Sequence, residues 1–323
     1  MIVRAHFQRL VERARLLPPL PAAFVYPCDA ESLRLALAAA FMGHLVPTLV
    51  GPEKRIRDTA VRAGIDLMSL PIIDTADDPR VAGAFAAQLA RAGSAGALIK
   101  GNLGNEDLLS PVAAPDSGLR GERRLSHAYF VDMPQHPRGL LLADAQINIV
   151  PGLAAKKDIL HNTLELAAAI GMTAPKVAIV TAMDVVNAAF PATADAAALK
   201  AMAAQGMFPG ATIEGPLAMD TALASSDAGV TGGAPPFADA DVLIAPGMEA
   251  ALMVVRTMVA LTGGIAAGLV LGAAVPIVAP ARTDSLEMRM ASCVLAVLLA
   301  GAMTVSRQDK DAAVQAAEAA TGS

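Results

Sequence analysis

Short apolar runs alternate with alanine-rich segments that open on a capping residue, and this alternation restricts the fold more than any other feature of the chain. In "AAFVYPCDAESLRLALAAAFMGHLVPTLVGP" an apolar run leads to Asp29 and Glu31, a segment closed by Gly43, and a second apolar run. Aspartate accepts the first free N–H groups of a helix, and glutamate in the first turn suits the positive helix end. Glycine permits the left-handed residue that stops it. The stretch predicts strand, helix over Glu31 to Phe41, strand. "VRAGIDLMSLPIID", "PRVAGAFAAQLARAG" and "AGALIK" continue the pattern as helix end and strand, helix, strand. Alternation of this kind, without a solenoid-type repeat, specifies a doubly wound α/β arrangement.

A second series starts near Tyr129. "HAYFVDM" and "GLLLADAQINI" read as a hairpin, "AKKDILHNTLELAAAIG" as a helix and "KVAIVTA" as a buried strand. "DAAALKAMAAQG" is a helix, "ATIEGPLAMDTAL" a strand and a helix start, and "ADVLIAPGMEAALMVVRTMV" a strand, turn and helix. The tail from Ser285 to Ala319 is mostly helical, a first amphipathic segment precedes the whole, and "GVTGGAPPF" is the clearest loop, either mobile or an ordinary surface connection. At 323 residues two domains are expected. The chain is 54% hydrophobic, has no Trp and only two Tyr, so alanine and aliphatic side chains must build the core. That composition suits parallel strands buried on both faces against alanine-rich helices.

Composition also narrows the partners. Net charge is -5 and no long basic run occurs, which argues against nucleic acid. Cys28 and Cys293 lie far apart and read as buried thiols; His6, His44, His127, His136 and His161 show no ligand spacing. No metal is expected. Between Arg256 and Arg282 the chain is uncharged over a spanning length, yet Gly263, Gly264, Gly268, Gly272, Pro276 and Pro280 punctuate it as a turn followed by strands. The run Met290 to Val305 falls short of a span, and the arginine-rich N-terminus lacks a signal-peptide core. A soluble, cytoplasmic protein is expected, with no membrane partner.

In open α/β sheets ligands bind beyond the carboxyl ends of the strands. Polar residues gather at those places: Lys100, Gly101 and Asn102; Asp144 and Asn148; Thr181 and Asp184; Gly215 and Asp220; Gly247 and Glu249; Arg282 and Asp284. Lys100 stands out, because a cation beside a glycine turn and a helix start is suited to an anion. "SGLRGERRLSH" adds Arg120, Arg123 and Arg124, either a second cationic cluster or a solvated face. No G-x-G-x-x-G, P-loop or G-x-S-x-G elbow is present. The residues alone stop at a two-domain α/β protein with an anion-binding cleft.

At these strand ends the sequence resembles the phosphate acetyltransferase and phosphate butyryltransferase family, the butyryl branch in particular. The resemblance runs from about Tyr26 to Ser306. It rests on "PCDAESLRLALAAA", "LIKGNL", "SGLRGERRLSH", "LADAQINI", "DILHNTLELA", "ATADAAALKAMA", "EGPLAMD", "VLIAPGMEA" and "RTDSLEMRMASC". It implies two α/β/α sandwich domains of the isocitrate/isopropylmalate dehydrogenase-like kind with a cleft between them. The first would hold residues 1–130 plus 272–323, the second residues 131–271. It also implies a homodimer that moves a short acyl group between coenzyme A and inorganic phosphate. Acyl-CoA and phosphate would be the substrates, with no resident cofactor.

By the same resemblance Arg282 holds the phosphate, Arg120 faces the cleft, and Asp284 is the carboxylate for base or orienting work. Lys100, Gly101, Asn102, Asp144, Asn148, Thr181, Asp220 and Glu249 are expected to line the substrate. Three departures matter. The family serine before the arginine is Ala281, Met288 stands where the acetyl branch has an aspartate, and a glycine-polar pair is Ala251-Leu252. Losing one oxyanion donor costs roughly 100- to 1000-fold in rate. The alternatives are a weak or inactive acyl-CoA or anion-binding paralogue, or another enzyme on this scaffold such as a decarboxylating dehydrogenase.

Overall fold

The computed structural model describes residues 5–134, 136–224 and 239–321. The "GVTGGAPPF" loop lies outside the described residues. The elements follow in chain order as α1 (Ala5–Ala14), β1 (Leu20–Val25), α2 (Ala30–Phe41), β2 (Leu45–Gly51), α3 (Glu53–Arg62), β3 (Ile72–Asp74) and α4 (Pro79–Arg91). Then come β4 (Ala97–Lys100), α5 (Asn105–Ala113), β5 (Ser126–Asp132), β6 (Leu140–Ala143), α6 (Leu153–Ala169), β7 (Lys176–Val180) and α7 (Pro191–Ala204). The rest is β8 (Thr212–Leu217), α8 (Met219–Leu223), β9 (Val242–Ile244), α9 (Met248–Thr262), β10 (Ile265–Leu271), β11 (Ile277–Val278) and α10 (Leu286–Thr321).

The alternation and its caps are present as expected. Asp29 caps α2, its carboxylate accepting the Ser32 N–H at 2.8 Å. All strands join one 11-stranded sheet in the order β3-β2-β1-β4-β11-β10-β5-β6-β9-β7-β8. β1, β2, β3, β4 and β11 run parallel to one another, and so do β6, β9, β7 and β8. The two parallel sets meet through β10 and β5, which are antiparallel to each other. β5 also pairs antiparallel with β6, so the carboxyl ends of the two sets lie at opposite ends of the sheet. Adjacent strands rotate by roughly 20–25°. Arg256 of α9, in the second half, reaches Asp284 beyond β11, in the first.

The centre of the sheet is where the halves part. β10 and β11 share a single register pair, Val270 with Ile277. Beyond it the Gly268 N–H turns to the Ser292 hydroxyl of α10 at 2.9 Å. α10 corrects one expectation. Its segment Leu286–Asp309 is long and apolar enough to cross a membrane by length and composition, with 67% of its most apolar stretch buried in the protein. Helix α10 packs on α1, α2, α6, β10 and β11. The uncharged run before Arg282 forms β10 and β11, as the glycines and prolines indicated.

Candidate functional site

β4 ends at Lys100, and the next two residues bend back over the end of β1. The Gly101 and Asn102 amides donate to the carbonyls of Val25 and Tyr26, each at 2.9 Å. Glycine is needed at 101 by this approach. A Cβ there would stand 2.6 Å from both carbonyl oxygens and 2.8 Å from the Pro27 Cα. The bend delivers Lys100 to the start of α5, where its Nζ donates to Asn105 Oδ1 at 2.7 Å. No carboxylate among the described residues is paired with it. Burial pushes the Lys100 pKa down, and the Arg282 and Arg289 charges push the same way against Asp284.

After β11 the chain makes a tight turn. The Asp284 amide donates to the Ala281 carbonyl at 3.1 Å, and the Ala281 amide donates to Asp284 Oδ2 at 2.8 Å. Asp284 Oδ1 accepts from Arg256 Nη1 at 3.0 Å. Arg289 braces the turn from α10, with Nε on the Asp284 carbonyl at 3.0 Å and Nη2 on Glu31 at 2.7 Å. Both oxygens of Asp284 are engaged and the residue is buried. Arg282 sits within this turn, exposed, its guanidinium without a partner among the described residues. The charges of Lys100 and Arg282 thus act on each other, neither side chain is hydrogen-bonded to a carboxylate among the described residues, and Asp284 is the carboxylate whose charge reaches Lys100. Such a pair suits a dianion, with the guanidinium supplying a planar fork.

A second group sits below the same loops. Asp144, 1% exposed, accepts the backbone N–H groups of Gln146 at 2.9 Å and Ile147 at 3.0 Å, and Asn148 Nδ2 at 2.6 Å. Burial raises the Asp144 pKa against these hydrogen bonds. Asn148 also donates to the Leu125 carbonyl at 3.0 Å. Gln146 in turn donates to the Tyr129 hydroxyl at 2.7 Å. Burial raises Tyr129 to about 12, the Asp284 charge adding and the Arg256 charge opposing. Tyr129 stacks edge-on with His127 at 4.5 Å between ring centres. A Cβ at Gly268 would lie 2.7 Å from each of these rings, so glycine makes the space.

The remaining strand-end side chains make no hydrogen bond to Lys100, Arg282 or Asp284 among the described residues. Thr181 donates to the Met183 carbonyl at 2.7 Å, closing a local turn. Asp184 accepts from the Ala218 amide at 2.7 Å and the Thr221 hydroxyl at 3.2 Å, at the start of α8, and Asp220 is exposed on that helix. Glu249 is exposed on the first turn of α9 and Asn102 is exposed beyond β4. Arg120 is exposed as well, its backbone bridged to Ala273 in the turn between β10 and β11. That turn lies at the end of β11 away from Lys100, so the structure does not set Arg120 beside Arg282. Arg123 pairs with Glu165 and Arg124 with Asp158, which makes their share of the cationic cluster a structural tie to α6.

Sequence reasoning missed Arg256, Arg289, Tyr129 and Gln146. A signal existed for Arg256: it follows Glu249 and Leu252 at helical spacing, on one stripe of α9. A cavity of about 390 Å³ lies elsewhere, between α1, Phe130, the 137–139 turn and the end of α6. Two of its arginines are committed: Arg13 to the carbonyls of Ala169 and Ile170, Arg138 to Asp239 and Asp241.

A large mixed sheet clad in helices, with unneutralised cations at its strand ends, defines a ligand-binding protein of the dehydrogenase-like α/β class. Residues 80–297 match the family described as "Phosphate acetyl/butaryl transferase". The chain is similar to the phosphate acetyltransferase of Rhizobium meliloti, 42% identical over 91% of this chain and 93% of that protein. It is similar to the phosphate butyryltransferase of Clostridium acetobutylicum at 34% identity, covering 78% and 84% respectively. Its fold is that of a branched-chain phosphotransacylase from Enterococcus faecalis, with TM-score 0.75 and 23% identity over 87% of this chain and 99% of that one. The chain belongs to the phosphate acetyl/butaryl transferase family and is an acyltransferase.

Proposed function

We propose that this enzyme moves a short acyl group between coenzyme A and inorganic phosphate, acyl-CoA plus phosphate giving acyl phosphate plus CoA. The observation that carries the reading is the Lys100–Arg282 pair, two close cations with no carboxylate on either. In the direction of acyl-CoA formation, the thiol sulfur bonds the carbonyl carbon of the acyl phosphate and the carbon–oxygen bond to phosphate breaks. The thiol proton ends on the departing phosphate. Arg282 and Lys100 hold that phosphate throughout, and their charge favours its departure. Asp284 keeps the Arg282 turn in shape from within, helped by Arg289. Acyl-CoA and phosphate are the substrates, and no resident cofactor takes part in this scheme.

The names of the relatives span acetyl and butyryl groups, and of the two above the more similar bears the acetyl name. A short acyl group is therefore the substrate class we assign. A second reading, acyl-CoA or anion binding with slow turnover, is favoured by Ala281, which offers an N–H to Asp284 and no hydroxyl to an oxyanion. The deciding experiment is thiol release from acetyl-, propionyl- and butyryl-CoA, with and without phosphate, for the wild type and Ala281→Ser. Phosphate-dependent release by the wild type supports the transferase. Silence of the wild type with activity in Ala281→Ser supports the slow or inactive reading. We further propose a cytoplasmic homodimer. The exposed apolar residues Ile149, Val150, Val185, Val186 and Met253 of the second half support a self-association surface, which light scattering tests.

A further inference from the structure

We propose that Arg256 is a further ligand of the substrate anion, offered from the half of the sheet opposite Lys100 and Arg282. It rests on the phosphate site proposed above. Arg256 stands in the middle of α9, which packs over β5, β6 and β10, whereas Lys100 and Arg282 follow β4 and β11. Only one of its guanidinium nitrogens is committed, Nη1 to Asp284 Oδ1 at 3.0 Å. Its Nε and Nη2 have no partner among the described residues, and the side chain is 35% exposed against 5% for Asp284. A guanidinium carries five donors in a rigid fork, so an arginine held by one nitrogen keeps a second edge for an oxyanion.

Charge supports the assignment. A strut for Asp284 alone would need no open edge. Asp284 is already held on its other oxygen by the Ala281 amide, at 2.8 Å. Its one negative charge is paired with Arg256 and also acts on Lys100. The cluster of Lys100, Arg256, Arg282 and Asp284 therefore has a net charge of +2 before any ligand arrives, matching a phosphate dianion. Because α9 and the 281–284 turn come from different halves, an anion bridging Arg256 and Arg282 would also draw the halves together.

The test is calorimetric titration of inorganic phosphate, with melting temperature and phosphate-dependent thiol release measured alongside. Arg256→Gln leaves Asp284 as a buried, unpaired carboxylate, so the comparison is made in an Asp284→Asn background. Adding Arg256→Gln to Asp284→Asn is expected to weaken phosphate binding about 10- to 100-fold, with little change in melting temperature. Arg256→Lys alone keeps the ion pair, removes the fork, and is expected to weaken phosphate binding by a smaller factor. Equal phosphate affinity with and without Arg256 in both comparisons overturns the proposal. Failure of the wild type to bind phosphate overturns it together with the phosphate site. If phosphate binds in an Arg256-dependent way but acyl-CoA is never cleaved, the Arg256 assignment stands and the transferase reading falls.

Discussion

Lys100 and Thr181 occupy comparable places, each at the carboxyl end of a buried parallel strand, β4 and β7. They differ in what their polar atoms do. The Thr181 hydroxyl donates to the Met183 carbonyl two residues on, and neighbouring Asp184 accepts from the start of α8. Every polar atom named there is used within the second half, in the turn or at the start of α8. Lys100 donates to neutral Asn105 and faces the charges of Arg282 and Arg289. Position at a strand end thus nominates both residues, and the use of their hydrogen bonds and charges separates them. Holding Lys100, Arg256 and Arg282 around the single carboxylate of Asp284 leaves excess positive charge that costs folding free energy, and a bound anion offsets it.

The contrast can be broken most severely at Arg282. Arg282→Gln is expected to lower phosphate-dependent kcat/KM by at least about 100-fold, because a charge-assisted bidentate contact is lost. Steady-state kinetics check it. The β4 end depends on its shape next. Gly101→Ala is expected to cost on the order of 2–3 kcal/mol, since the new Cβ meets two carbonyl oxygens and the Pro27 Cα. Gly152→Ala, where a Cβ meets nothing within 4 Å, is expected to cost less than about 1 kcal/mol. Urea unfolding of both variants measures the difference.

A pH dependence sharpens the comparison from beneath the site. His127 is buried, its Nδ1 has no partner among the described residues, and burial pushes its pKa down to about 3. The folded protein keeps this imidazole neutral while the unfolded chain protonates near pH 6.5, so the unfolded state binds more protons as pH falls. Stability is full above about pH 6.5 and is lost progressively as the pH drops toward 3. From pH 7.5 to 5.5 the loss due to His127 is expected to be about 1.4 kcal/mol. His127→Gln flattens the curve only in part, because burial lowers His44 and His161 as well. The smallest effect belongs to the second-half strand ends. Asp220→Asn is expected to change kcat/KM by no more than about twofold.

Much of the fold was legible because caps, glycines and apolar runs act over a few residues. Asp29, Gly43 and the run at Ala97 to Ile99 mark their elements in the sequence itself. The pairing of β10 with β5, and its parting from β11 after one register pair, joins residues far apart in the chain, and no local pattern carries it. The extent of α10 was legible, but its apolar span was underestimated because Arg289 and Arg307 bound the uncharged run that the span exceeds. At the site, Lys100 and Arg282 were legible as cations at strand ends. Arg256 was not, because its partner Asp284 lies 28 residues away on another half of the sheet. Thr181, Asp184 and Asp144 close turns with the same residue types that meet ligands, so the sequence alone does not separate the two uses.

The most direct test of the central claim is titration of inorganic phosphate into the wild type and into Arg282→Gln by calorimetry. Saturable one-site binding by the folded wild type, lost or weakened by at least about tenfold in a folded Arg282→Gln, is the predicted result. Equal binding by the two proteins, or none by either, would contradict a phosphate site built on Lys100 and Arg282.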